Sequence, residues 1–203
     1  MATCDLLRDA MMLRTADPLL ERDGVKIHVV RSIDELICVT TLRARIFQHE
    51  QDCPYREEFD GNDLSGATHL LALRGDEPVG TIRLRWFANF MKAERVAVIQ
   101  KERSISVAFA LIYGACIFSQ KKGYTTMLGH AERRVAKLWD KTGIAKTRKT
   151  RDSFTFSGIE FVEVLCDIPA TIDRLSIDTP ALVLNRPEGE WDEPGVLEVE
   201  AAA

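Results

Sequence analysis

The segment order predicts an α/β (α+β) fold: a mixed, mostly antiparallel sheet of about six to seven strands flanked by helices on both faces. Three observations carry that reading. "VKIHVVR" (25–31) is rich in β-branched residues and runs into "SIDELICVTTLRARIFQHEQ" (32–51). There Ser32, with Glu35 three positions on, forms a capping box, so the second piece is a helix. "ATHLLALRG", "PVGTIRLRWF" and "MKAERVAVIQ" then read as three successive strands with tight connections at Gly75-Asp76 and Ala88-Asn89. Finally, "ERVAVIQKERSISVAFALI" (94–112) passes from an apolar strand through a short polar turn into a long apolar helix. A helix opening at the end of a sheet strand presents backbone N–H groups and a positive dipole end, the layout of an anion-holding junction.

The remaining elements follow in order. Residues 1–24 are expected to be an arm, and 52–66, "DCPYREEFDGNDLSG", a polar loop. The central helix runs from about Ser104 to Lys121, with Gly123 as its C-terminal stop. "YTTMLGH" is a strand, with His130 opening the next helix, "AERRVAKLWDKTG", which closes at Gly143. "SFTFSG" and "IEFVEVLCDI" form a last hairpin. The domain is therefore 25–170, followed by an acidic, proline-rich extended tail, 171–203. Its apolar piece Ala181–Leu184 is expected to dock on the core or to pair two copies into a homodimer.

With 203 residues, 46% apolar and 29% charged, the chain has the profile of a globular domain. A net charge of −4 gives no electrostatic case for a nucleic-acid partner. The basic stretch "KTGIAKTRKTRD" (141–152) is either a solvated face or a rim attracting an anionic cofactor or carrier protein. The five cysteines form no C-x-x-C pair, so no metal site is expected, and a reducing cytoplasmic location fits. Cys116 and Cys166 read as small core residues. No segment reads as a secretory signal or a membrane helix.

The order of these pieces, with "ERVAV" passing into a helix, "RARIFQHEQDCPYREEFDGND", "THLLALRGDEPVGTIRLR" and "GHAERRVAKLWDKTGI", resembles the GNAT superfamily of acyl-CoA-dependent N-acyltransferases over about residues 26–168. The "REEFDGND" loop, the His-bearing strand and "GTIRLR" are also similar to the related acyl-homoserine-lactone synthases, which take their acyl group from acyl carrier protein. The resemblance implies acetyl-CoA or a longer acyl-CoA as donor, with acyl-ACP as the alternative. It places the diphosphate on Arg103, Ser104, Ser106, Val107 and Ala108, and the pantetheine along a bulge of the "ERVAV" strand at Val96 and Val98. Ser106 stands where that pattern has glycine, and Leu138-Trp139 replaces a pair that often supplies an acid tyrosine.

Glu94 and His130 are the candidate catalytic residues. The resemblance implies that Glu94 takes the amine proton through water; otherwise it pairs with Arg83 or Arg85. His130, titrating near neutrality, shuttles protons or is bonded to backbone. Arg43 falls in the middle of the apolar face made by Leu36, Val39, Ile46 and Phe47, so its charge needs a partner. That partner is Glu58, Asp60 or Asp63, or else a substrate, with Phe47 and Arg83 completing a candidate substrate-binding set. His69 reads as a core histidine, and Phe109 with Tyr113 as core packing. Three functions are consistent with these residues: transfer of an acyl group from acyl-CoA to a small-molecule amine by direct attack, an acyl-ACP-dependent N-acyl amino acid or homoserine-lactone-type synthase, and a non-catalytic ligand-binding module.

Overall fold

The computed structural model describes residues 17–103 and 105–200. Most of the expected arm, Cys4 and Ser104 lie outside the described residues. In chain order the elements are β1 (Leu20–Arg22), β2 (Val25–Val29), α1 (Ile33–Arg43), α2 (Tyr55–Glu58), β3 (Thr68–Arg74), β4 (Glu77–Trp86), β5 (Met91–Val98), α3 (Ile105–Lys121), β6 (Thr126–Glu132), α4 (Arg133–Thr142), β7 (Lys146–Thr147), β8 (Phe154–Phe156), β9 (Ile159–Asp167), α5 (Ala181–Leu184) and α6 (Val196–Glu200).

The strands join one nine-stranded sheet in the order β1-β2-β3-β4-β5-β6-β9-β7, with β8 paired to β9. All pairings are antiparallel except β5 with β6. The mixed, mostly antiparallel architecture is the expected one. The two strands beyond the expected number, β1 and β7, are only three and two residues long. β1 corrects the boundary at 25: the chain folds back at Asp23-Gly24, both at positive φ, and Leu20 pairs with Ile27.

The two longest helices pack on opposite faces of the sheet, and β3 shows why. Alternate residues of a strand point to opposite sides. Leu70 meets Gly114 of α3, whose added Cβ would sit 2.8 Å from Ile27 Cγ2. Its neighbour His69 faces the other way, with Nε2 3.4 Å from Asp63, which in turn holds Arg43 of α1. Val25, Ile27, Leu70, Ala72, Ile82, Leu84, Leu111 and Phe118 belong to the core. Burying a side chain such as Leu70 contributes about 1.5–3 kcal/mol.

Local structure departs from expectation at three places. The capping box is present, with Ser32 Oγ accepting from Glu35 N, but α1 loosens into a π-helix over Ala44–Glu50. β6 continues to Glu132, so His130 lies within a strand and does not open a helix. The segment after 170 is not extended away from the core. Trp191 is 7% exposed, its ring 5.3 Å from Phe118. Lys122 pairs with Glu188 at 2.6 Å and sits over the rings of Trp86, Phe118 and Trp191. Leu182 and Leu184 of α5 remain half exposed, so the tail docks mainly through Trp191. Among the described residues, no helix is long and apolar enough to cross a membrane.

Candidate active site

The site begins with a break in strand pairing. β5 and β6 run parallel only from Met91↔Met127 to Ala93↔Gly129. Beyond that point β6 pairs only with β9, so β5 leaves a slot beside Glu94–Val98. A bulge in β5 reinforces the divergence. Its register against β4 jumps between Thr81↔Ala97 and Arg83↔Glu94, and Arg95 adopts φ +55°. A left-handed arginine is strained and bends the strand. The bulge also interrupts the regular alternation of faces from Glu94 to Val98. Val96 is 36% exposed, while Val98 is buried and its carbonyl accepts from Arg103 Nε at 3.3 Å.

β5 ends near α3, so the slot leads toward that helix's N-terminus. A short 3₁₀ turn, Gln100–Glu102, connects them. Arg103 is also paired with Glu50. Ser106 and Ala108 are partly buried and Val107 is a core residue, leaving backbone N–H groups as what this turn has to offer an anion.

The α1 face of the sheet carries the charge. His69, Arg83 and Glu94 are cross-strand neighbours on β3, β4 and β5. Arg43 and Arg83 are both 0% exposed. Arg43 Nε donates to Glu58 Oε1 at 2.5 Å and its Nη1 to Asp63 Oδ1 at 2.6 Å. Arg83 Nη1 donates to the same Asp63 oxygen at 2.9 Å, its Nη2 to Asp60 Oδ2 at 2.7 Å and its Nε to Glu94 Oε1 at 2.9 Å. Buried arginines persist only when their donors are met in this way. Arg43 and Arg83 expose no surface and pair with these acids, the structural alternative that the sequence left open beside substrate contact. Phe47 is partly buried against the core.

Burial pushes Glu58 above the usual carboxylate range, against the pull of Arg43. Burial acts on Asp63 and Glu94 in the same sense but is overcome: Arg43 and Arg83 hold Asp63 low, and Lys92 with Arg83 holds Glu94 low. His69, 4% exposed, is pushed down to about 4 by burial and stays neutral.

The partly exposed groups of this cluster are ones the sequence reading had not singled out as ligands. Asp60, Arg95 and Lys92 have side chains 26%, 16% and 19% exposed. Lys92 Nζ lies 2.7 Å from Glu94 Oε2. Arg95 Nε is 3.0 Å from Glu58 Oε2, misaligned for a hydrogen bond. The tip of the β8–β9 hairpin reaches across from the far side: Phe156 lies 5.5 Å from the Arg95 guanidinium and Ser157 Oγ donates to Glu57 Oε2 at 2.5 Å. Arg95 Nη2 also donates to Glu57 O, 38 residues away in the chain, and the bulge puts Arg95 among these contacts.

Glu94 and His130 are the first residues after β5 and β6 part, so the structure brings them to the same mouth. His130 stands edge-on to Phe154 at 4.9 Å, with Nε2 3.9 Å from Glu163. Burial and the nearby Lys92 lower its pKa, Glu163 and Glu94 opposing. Trp139 is buried against Phe109 at 5.3 Å, filling a packing role. Tyr113 is not core packing: it is exposed, beneath Arg22 at 4.6 Å.

No family model matches the chain. A Bacillus subtilis protein described as an acetyltransferase is 27% identical over 135 residues, 66% of this chain and 90% of the relative. A Lactobacillus plantarum structure described as an N-acetyltransferase superposes with TM-score 0.65 at 20% identity, covering 72% of this chain and all of that one. The CoA-dependent acyl-homoserine lactone synthase BjaI, solved with SAM and isopentyl-CoA, superposes with TM-score 0.57 at 16% identity over 72% of this chain and 84% of its own. The parted parallel strands, the bulge between them and the helix at the slot's end thus belong to a chain with the GNAT fold, related in sequence to acetyltransferases.

Proposed function

We propose that the protein is an N-acyltransferase that moves an acetyl or longer acyl group from acyl-CoA to a small amine by direct attack. The slot between β5 and β6 is the observation that carries this reading. Its unpaired β5 edge offers backbone hydrogen bonds to a pantetheine arm alongside Val96 and Val98. The first turn of α3, with Ser106, Val107 and Ala108, supplies N–H groups for the diphosphate next to Arg103. BjaI, solved with isopentyl-CoA, supports an acyl-CoA donor on this fold.

The amine enters on the α1 face. Asp60, its side chain 26% exposed, offers a carboxylate edge to an ammonium, so the cleft suits a small amine acceptor. To attack the thioester the amine must be neutral. His130, kept neutral at pH 7 by burial and Lys92, is the better proton acceptor. Glu94, held ionised and weakly basic by Lys92 and Arg83, orients the amine or a bridging water. No thiol is needed on the protein, because the acceptor itself is the nucleophile.

A second reading keeps the fold and changes the donor to acyl-ACP, favoured by the exposed Lys141, Lys146 and Lys149 beside α4. One assay separates the two. The protein is offered acetyl-CoA, hexanoyl-CoA or hexanoyl-ACP with a panel of amines and amino acids, and free thiol is measured. Thiol release from the CoA esters supports the first reading, and release from the ACP ester alone supports the second. Calorimetry showing no binding of CoA or its acyl esters would end the first.

A further inference from the structure

A second cavity lies away from the slot. It is about 410 Å³, is walled by Ile112, Tyr113, Cys116 and Ile117 of α3, and is closed on the other side by Ile144 and Cys166. Cys166 stands opposite Met127 in the β6–β9 ladder, at the end where β5 and β6 are still paired. The candidate chemistry uses neither cysteine. Both are free thiols; Cys166 is buried and Cys116 is half-buried, and both open onto the cavity.

The two thiols also interact with each other. Their interaction lowers the pKa of the Cys166 thiol and, with burial, pushes that of Cys116 upward, while Cys166 Sγ donates to Asp167 O at 3.8 Å. The other two described cysteines are differently placed: Cys38 lies on α1, and Cys53 meets Ser157 Oγ at 3.5 Å. Two interacting thiols lining one cavity supply an attacking sulfur, a resolving sulfur and room for a small oxidant.

We propose that Cys116 and Cys166 are an oxidation site, converted by a peroxide into a disulfide that ties α3 to β9. The Cys166 sulfur attacks one peroxide oxygen, the O–O bond breaks, and the departing hydroxide takes up the thiol proton as water. Cys166 is then a sulfenic acid. The Cys116 sulfur attacks it, an S–S bond forms, the S–O bond breaks, and the hydroxyl leaves as a second water with the Cys116 proton. Two thiols lose two electrons, and one peroxide is reduced to two waters. The bridge would join residues well separated in the chain and constrain the unfolded state.

The test uses the full chain. The protein is treated with hydrogen peroxide, alkylated with iodoacetamide and digested for mass spectrometry. The expected result is one linked peptide pair, Cys116 with Cys166, reversed by dithiothreitol, with a melting temperature several degrees above that of the reduced chain. In Cys116→Ser the link should vanish and Cys166 should be captured by dimedone as a sulfenic acid. The wild-type measurement stands even where the variant does not fold. Linkage of either cysteine to a different partner, a dimedone adduct on the wild-type chain without the link, or both thiols still fully alkylated after excess peroxide would overturn the proposal. None of these readouts depends on acyl transfer.

Discussion

Arg43 Nε donates to Glu58 Oε1 at 2.5 Å, and neither side chain exposes more than 1% of its surface. This pair roots the charged network under α1. Glu58 lies on α2 within the polar loop, so this bond joins those of Asp60 and Asp63 to Arg83 in fastening the loop to the sheet face. Removing the guanidinium leaves buried Glu58 with only the misaligned Arg95 beside it, at 3.0 Å, and takes two donors from Asp63. Arg43→Met should therefore lower stability by about 3–5 kcal/mol, and adding Glu58→Gln should restore part of it, because the stranded charge is gone. Urea unfolding of the single and double variants checks this. A wild-type midpoint for Arg43→Met would show that the pair contributes nothing.

That Arg43 required a carboxylate from 58–63 was legible in the sequence, because a charge in the centre of an apolar helical stripe has few solutions. So were the antiparallel run, its turns at Gly75-Asp76 and Ala88-Asn89, and the bulge implied by the family resemblance. Other features were not. Strand alternation mispredicts any residue beyond a bulge, which hid Arg95's approach to the 57–60 loop. Trp191 sits in a segment rich in proline and acids, where composition argues for an unattached tail; only tertiary contact with Phe118 reveals the docking. The end of β6 was misplaced because His130–Glu132 has no strong strand propensity, and pairing with Phe161–Glu163 extends the strand regardless.

His69 makes stability pH-dependent. Its folded pKa is about 4, against 6.5 for the free imidazole. The unfolded chain therefore takes up a proton below 6.5 while the folded chain does not. Stability from this group is fully present above pH 6.5 and is lost as pH falls toward 4, a difference of about 3 kcal/mol. Urea midpoints should drop between pH 7 and pH 4.5, and His69→Gln should flatten that part of the profile. Direct titration of the His69 ring by NMR, if it gave a midpoint near 6.5, would contradict this.

Trp191 should act as the tail's anchor. Its indole packs on Phe118 beside Lys122, and Gly189 next to it runs so close that an added Cβ would lie 2.7 Å from Val29 Cγ2. Trp191→Ala should cost about 3–5 kcal/mol, as for a large aromatic removed from a core. It should also make the segment after 170 susceptible to limited proteolysis at protease levels that spare the wild-type chain. Equal resistance of the two would show that the salt bridges alone hold the tail.

The electrostatics at the mouth of the slot fix the sign of two shifts in catalysis. A base at His130 must be neutral, so kcat/KM should be level near pH 7.5 and fall on an acid limb set by a midpoint below 6.5. Lys92 lowers that midpoint by like-charge repulsion, while Glu94 raises it. Lys92→Met should accordingly move the limb toward neutral pH, and Glu94→Gln should move it further acid. The second variant also frees Lys92 from its 2.7 Å contact with Glu94, which strengthens the effect. His130→Gln should remove the limb and lower kcat by about 10²–10⁴, the usual contribution of a positioned base. The measurement is the pH profile of kcat/KM for the four proteins with one acyl-CoA and one amine. Shifts of the same sign in Lys92→Met and Glu94→Gln would exclude His130 as the titrating group. A limb that survives His130→Gln would assign it to the acceptor amine instead.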